Sequence, residues 1–100
     1  MPRLVINPNT TSAWQVQLKP GTNLLGRGFA NDFKIENPSV SSSHCQIVVD
    51  GTRAVIRDLG STNGTFVNRG RRLAPGDRCL LKDGDEIIVG KTFLRFRLTK

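Results

Sequence analysis

Four short segments hold nearly all the side chains in this sequence that suit chemistry. In "LLGRGFANDF", Arg27 stands between Gly26 and Gly28 at the end of an apolar run. Glycines let a backbone turn sharply and let a ligand approach closely. An arginine between them can offer a fixed fork of donors to a phosphate or carboxylate. In "ENPSVSSSHCQI", Ser39, Val40, Ser41, Ser42 and Ser43 lead up to His44, the sole histidine. In "DLGSTNGTFVN", Ser61, Thr62, Asn63 and Thr65 surround Gly60 and Gly64. In "NRGRRL", which begins at Asn68, the basic residues Arg69, Arg71 and Arg72 lie close together.

Each segment also has a plain structural reading. Arg27 alone is an exposed loop arginine, and "NRGRRL" alone is a solvated basic turn. Serine beside histidine invites a hydrolase reading, since a catalytic serine needs a neighbouring imidazole base. Ser43 and His44 are adjacent at a strand entrance, however, so they point to opposite faces, and Ser41 is better placed to meet His44 across the turn. No orienting acid or G-x-S-x-G elbow is identifiable. His44 therefore reads as a structural hydrogen-bonder, and the protein as a non-enzyme. One histidine and two cysteines lack zinc spacing, so neither a metal nor a cofactor is expected. Asn63-Gly64 is a strong hairpin signal, because a type I′ turn wants φ > 0 at both centres. That turn does not require Ser61 or Thr62, whose hydroxyls could donate to an oxyanion. The arginines of "NRGRRL" would give such a site a basic rim, screened over a Debye length of about 8–10 Å.

The elements that must position these segments are strands. "RLVI" opens the chain, and "WQVQL" alternates Trp14, Val16 and Leu18 with Gln15 and Gln17, as a strand with one buried face does. "QIVVD" and "RAVIRDL" read as a hairpin around Gly51, and "DEIIVG" and "TFLRFRLT" as another around Gly90 and Lys91. In the last run Phe93, Arg95 and Arg97 face one way, and Thr92, Leu94, Phe96 and Leu98 the other. No helix is convincing. Turn signals such as Pro20-Gly21, Pro75-Gly76 and Asp83-Gly84 recur at the spacing of an all-β sandwich or barrel. Without repeat or linker, residues 1–100 read as one domain with a core of about 3–98, trimmed from a larger protein.

Composition bounds the partners. The net charge is +7, from fifteen Lys and Arg against eight Asp and Glu. Such a field attracts anions, and nucleic acid, an acidic membrane surface and a phosphorylated protein all qualify. No apolar run approaches the roughly 20 residues of a membrane helix. The first residues lack a basic leader and an apolar segment, so no secretory signal is expected. Cys45 and Cys79 each fall in an apolar run and read as buried free thiols, which fits a reducing compartment. That places the protein inside the cell, in the cytoplasm or, in a eukaryote, the nucleus.

Taken in order and spacing, the segments resemble the forkhead-associated (FHA) domain. The resemblance rests on "GRG" (Gly26 to Gly28), "SSSH" (Ser41 to His44), "STNGTFVN" (Ser61 to Asn68) and the tail "LKDGDEIIVG" (Leu81 to Gly90). It implies an antiparallel β-sandwich of about eleven strands, FHA/SMAD-like, with ligand loops at one end. It implies a module that binds phosphothreonine peptides in Ser/Thr kinase signalling, and that is monomeric when isolated. By resemblance, Arg27, Ser41, Ser42, Thr62 and Asn63 contact the phosphopeptide. Gly26, His44, Gly64 and Asn68 support the loops, and Ser39, Val40, Arg69, Arg71 and Arg72 rim the site and shape preference for flanking residues. Arg69 stands between Asn68 and Gly70, where the family usually has Asn-Gly, and this predicts a longer, more basic turn. The competing reading is a small basic β-domain that binds nucleic acid. Such domains usually stack bases on exposed aromatics. Here Tyr is absent, and the single Trp and five Phe mostly fall at positions that read as core.

Overall fold

The period-two pattern becomes ten strands and no helix in the computed structural model, which describes residues 2–98. In chain order they are β1 (Arg3–Ile6), β2 (Trp14–Gln17), β3 (Gly21–Gly26), β4 (Phe33–Lys34) and β5 (Cys45–Asp50). There follow β6 (Arg53–Asp58), β7 (Thr65–Val67), β8 (Arg78–Leu80), β9 (Glu86–Val89) and β10 (Thr92–Arg97). They form two five-stranded sheets, ordered β2-β1-β10-β9-β7 and β4-β3-β5-β6-β8. Alternate residues of each sheet point inward. Leu4, Ile6, Ile87, Val89, Leu94 and Phe96 of the first sheet meet Leu25, Ile47, Val49, Ala54 and Ile56 of the second in one core. Each large aliphatic or aromatic side chain buried there contributes roughly 1.5–3 kcal/mol relative to exposure.

Both expected hairpins form. β5 and β6 pair from Cys45↔Asp58 to Asp50↔Arg53, and β9 and β10 pair from Thr92↔Val89 to Arg95↔Glu86. Gly51 and Gly90 supply positive φ at the turns, 63° and 61°.

The strands number ten, close to the eleven expected of the sandwich, since the additional Phe66–Arg72 pairing is a single bridge. One neighbouring pair, β3 with β4, is parallel. Three local expectations change. Asn63-Gly64 is not a hairpin turn, because β6 and β7 lie in different sheets and the segment between them crosses from one to the other. Only Gly64 of the two has positive φ, 92°. The turn with two positive-φ centres lies five residues further on, at Asn68 (51°) and Arg69 (58°), closed by the Gly70 amide donating to the Val67 carbonyl at 3.0 Å. That turn is no longer than usual, and Arg69 adopts the backbone that glycine normally takes. Finally, Trp14 is 42% exposed, because β2 is an edge strand with no neighbour to cover its far side. Phe29 and Phe93 are exposed too, and Phe96 is the fully buried phenylalanine. The aromatics as a set are therefore not core. Trp14 shares a row with buried Ile6, whereas Phe93 points to the opposite face of the same sheet. Phe29 sits in the β3–β4 loop under the Lys34 ammonium. They form no common stacking platform.

Candidate functional site

Three loops meet at one end of the sandwich: residues 27–32 after β3, 35–44 before β5, and 59–64 after β6. The first two are laced by backbone. The Arg27 amide donates to the Ser41 carbonyl at 2.9 Å and the Gly28 amide to the Ser42 carbonyl at 3.2 Å. Gly26 permits this approach, since a Cβ there would stand 2.3 Å from the Ser42 carbonyl oxygen. Asn31 ties the same seam, its side-chain amide donating to the carbonyls of Gly28 and Ser42.

The third loop is organised by Asp58, a residue to which the sequence motifs assign no role. Its carboxylate is 1% exposed. One oxygen accepts from the hydroxyls of Ser61 and Thr65, at 2.5 and 2.8 Å. The other accepts from the amides of Gly60 and Ser61, at 2.8 and 2.9 Å. Burial pushes this carboxyl up, but the four hydrogen bonds outweigh it and hold the group below its ordinary value. The Ser61 hydroxyl is thus spent within the protein and is not offered to an oxyanion. The available signal was an aspartate followed by a glycine two residues on and a serine three residues on, the pattern of an Asx turn.

His44 joins the second and third loops. It is fully buried, and its Nδ1 accepts from the Ser41 amide at 3.0 Å. Nε2 therefore carries the proton and donates to the Gly64 carbonyl at 2.8 Å. Burial is the main cause lowering its pKa, so the imidazole stays neutral. Both ring nitrogens are engaged with backbone, and His44 meets Ser41 through the amide rather than the hydroxyl. Gly64 is confined as well, with the Arg72 side chain 2.9 Å from where a Cβ would sit.

Around this frame lies a shallow depression of about 320 Å³, lined by Arg27, Pro38, Ser39, Val40, Ser41, Ser42, Thr62 and Asn63. All five expected phosphopeptide contacts line it. Arg27 is exposed, and its Nε donates to the Val40 carbonyl at 3.1 Å. That bond orients the guanidinium and leaves its terminal amino groups without a hydrogen-bond partner among the described residues. The Ser41 hydroxyl oxygen accepts from the Thr62 amide at 3.0 Å, which joins the second and third loops. Asn63 joins them again, its side-chain amide donating to the Ser39 carbonyl at 2.8 Å. Ser42 and Thr62 are exposed.

The expected rim divides. The Val40 side chain lies in the core, 1% exposed, so only its carbonyl faces the depression. Its position in an otherwise polar loop gave no sign of that burial. The Ser39 hydroxyl donates to the Asn37 side chain at 2.7 Å and accepts from the Lys91 amide at 2.8 Å. Arg69 pairs with Glu86 at 2.9 Å, and Arg72 donates to the carbonyls of Ser61 and Thr62. Arg71 is exposed and has no partner among the described residues. Asn68 braces β9, its side chain accepting from the Glu86 amide and donating to Asp85, both at 3.0 Å.

Neither cysteine forms a disulfide. Cys45 is buried, and burial followed by the Asp58 charge pushes its thiol up to about 12. Cys79 is only half-buried.

The FHA domain family matches residues 23–90, so this chain belongs to the FHA family. It is 40% identical over 82 residues to the FHA domain-containing protein FhaA of Mycobacterium tuberculosis, covering 82% of this chain and 15% of FhaA. It is 32% identical over 93 residues to the glycogen accumulation regulator GarA of Mycolicibacterium smegmatis, covering 93% of this chain and 56% of GarA. A solved structure from work on phosphothreonine-dependent FHA domain interactions superposes with a TM-score of 0.86 at 35% identity, covering 99% of this chain and 97% of that one. The chain thus spans about half or less of the length of these two relatives.

Proposed function

We propose that this chain is a non-catalytic module that binds phosphothreonine-containing protein segments through the three-loop depression, within Ser/Thr kinase signalling. The observation that carries the reading is the convergence of Arg27, Ser41, Thr62 and Asn63 from three loops onto one open surface, with the imidazole locked away beneath it. A phosphothreonine brings about −1.5 to −2 charges and three strong acceptor oxygens. The unpartnered end of the Arg27 guanidinium, the exposed hydroxyls of Ser42 and Thr62, and the Ser41 hydroxyl, whose proton is still available, are donors of the kind it needs. Asn63 is assigned to the peptide backbone beside the phosphate.

Gly26, His44, Gly64 and Asn68 hold the loops, and Arg71 is the rim residue best placed to meet an acidic flanking side chain. Hydrogen bonds to charged groups contribute on the order of 1.5–3 kcal/mol each, and a few of them, less the costs of association, suit reversible micromolar binding. We further read the chain as one module of a longer protein located inside the cell. Among the described residues no helix is long and apolar enough to cross a membrane.

The test is Arg27→Ala titrated with a degenerate phosphothreonine peptide library. With about two charge-assisted bonds lost, affinity should fall roughly 100-fold or more, while thermal unfolding is unchanged. Retained affinity would refute the assignment.

A further inference from the structure

The outer face of β5, β6 and β8 carries a second feature that shares no lining residue with the loop depression. A groove of about 320 Å³ is lined by Gln46, Val48, Asp50, Arg53, Val55, Arg57 and Arg78. Strand register sorts these side chains into rows. Gln46, Arg57 and Arg78 stand side by side across the three strands. Two residues along, Val48, Val55 and Leu80 form an apolar row, and Leu80 is 49% exposed. Two residues further, Asp50 and Arg53 form the last row.

The electrostatics of this face are unresolved within the chain. Arg57 and Arg78 are directly opposed, and like charges so placed destabilise a sheet. None of the side chains of Arg53, Arg57 and Arg78 has a hydrogen bond or ion pair among the described residues. The Arg57 Nε is buried and unsatisfied, although a buried donor left without a partner is destabilising. Asp50 at the far end offsets only part of the charge.

We propose that this face docks an extended protein segment of the pattern acid–x–aliphatic–x–acid. The spacing follows from strand geometry. Rows two residues apart are separated by about 6.6–6.8 Å, and alternate side chains of an extended segment laid along the strands have the same separation. One acid meets Arg57 and Arg78, the aliphatic residue meets the valines and Leu80, and the second acid meets Arg53. The groove lining contains no aromatic ring, which favours this occupant over single-stranded nucleic acid, whose bases stack on aromatic side chains.

The test is amide chemical-shift mapping on the intact chain with two unphosphorylated peptides and one nucleic-acid probe. These are the blocked pentapeptide Glu-Ser-Leu-Ser-Glu, its isomer Glu-Glu-Ser-Leu-Ser, and a short oligothymidylate. The first should shift the amides of Val48, Val55, Arg57 and Leu80 while leaving the loops unmoved, and the isomer should bind roughly ten-fold more weakly. A double variant, Arg57→Ser with Arg78→Ser, should lose the pentapeptide shifts yet melt no lower than the parent and bind phosphothreonine peptides as before. Equal binding of the isomer would reduce the face to bulk charge and overturn the proposal. So would an oligothymidylate that binds more tightly at the same amides, or pentapeptide shifts confined to the loops. Because neither peptide is phosphorylated, the outcome of the peptide arms is independent of phosphothreonine binding at the loops.

Discussion

Replacing Asp58 by alanine should collapse the loop that carries Thr62 and Asn63. The carboxylate accepts four hydrogen bonds, and two of its donors, the hydroxyls of Ser61 and Thr65, belong to residues 5% and 0% exposed. Each buried hydroxyl left unsatisfied costs about 1–3 kcal/mol. The two amides lose acceptors as well, while removing a buried charge returns part of its desolvation cost. The expected net loss is about 3–4 kcal/mol. For a domain of this size that lowers Tm by roughly 12–30 °C, a large share of a typical total stability of about 5–15 kcal/mol. Urea unfolding followed by tryptophan fluorescence measures it. Adding Ser61→Ala and Thr65→Val, which removes the stranded hydroxyls, should recover part of the loss.

The pH dependence has a definite sign. Asp58 titrates lower in the folded chain than when unfolded, so its contribution is complete above the unfolded value of roughly 3.9 and is lost as pH falls through the folded one. An Asp58→Ala variant within 1 kcal/mol of the parent would show that the carboxylate does not hold the loop.

Other consequences follow from the same framework. Arg69→Gly should raise Tm by a few degrees in a melting experiment, because φ of 58° strains any residue with a Cβ and the pair with Glu86 is exposed at its arginine end. Gly26→Ala should destabilise by roughly 1–3 kcal/mol in urea and weaken phosphopeptide binding, since its Cβ would drive the Ser42 carbonyl away. His44, lowered by burial, favours the neutral form on folding; its contribution is complete above about pH 6.5 and is lost as pH falls towards the folded pKa. Unfolding free energies measured from pH 7.5 to 5 should therefore decline, and a His44→Gln variant should flatten that slope.

The sequence disclosed what depends on neighbours along the chain. Asp50-Gly51 and Gly90-Lys91 each join strands that pair with one another, so alternation and turn chemistry sufficed for both hairpins. The segments that meet at the candidate site were legible too, because Gly26, Arg27, Ser41, His44, Thr62 and Asn63 stand in motifs whose order resembles that of the family. What failed depended on the other sheet. Asn63-Gly64 carries a hairpin signal, yet the strands it joins belong to different sheets, and no local pattern records that crossing. Val40 looked like part of a polar loop, and its burial comes from elements distant in sequence. Trp14 alternates correctly with its neighbours and is nevertheless exposed, because an edge strand can be recognised only once the sheet order is known. Ser61 seemed free to meet a ligand until Asp58 turned inward to claim its hydroxyl.

Whether the three loops read a phosphate on threonine is decided by calorimetric titration of one threonine peptide in phosphorylated and unphosphorylated forms, at a fixed 0.15 M salt. The phosphorylated peptide should bind at micromolar concentration. With at least two charge-assisted hydrogen bonds withdrawn, the other should bind at least about 100-fold more weakly. Equal affinity for the two forms would mean that the loops do not read the phosphate.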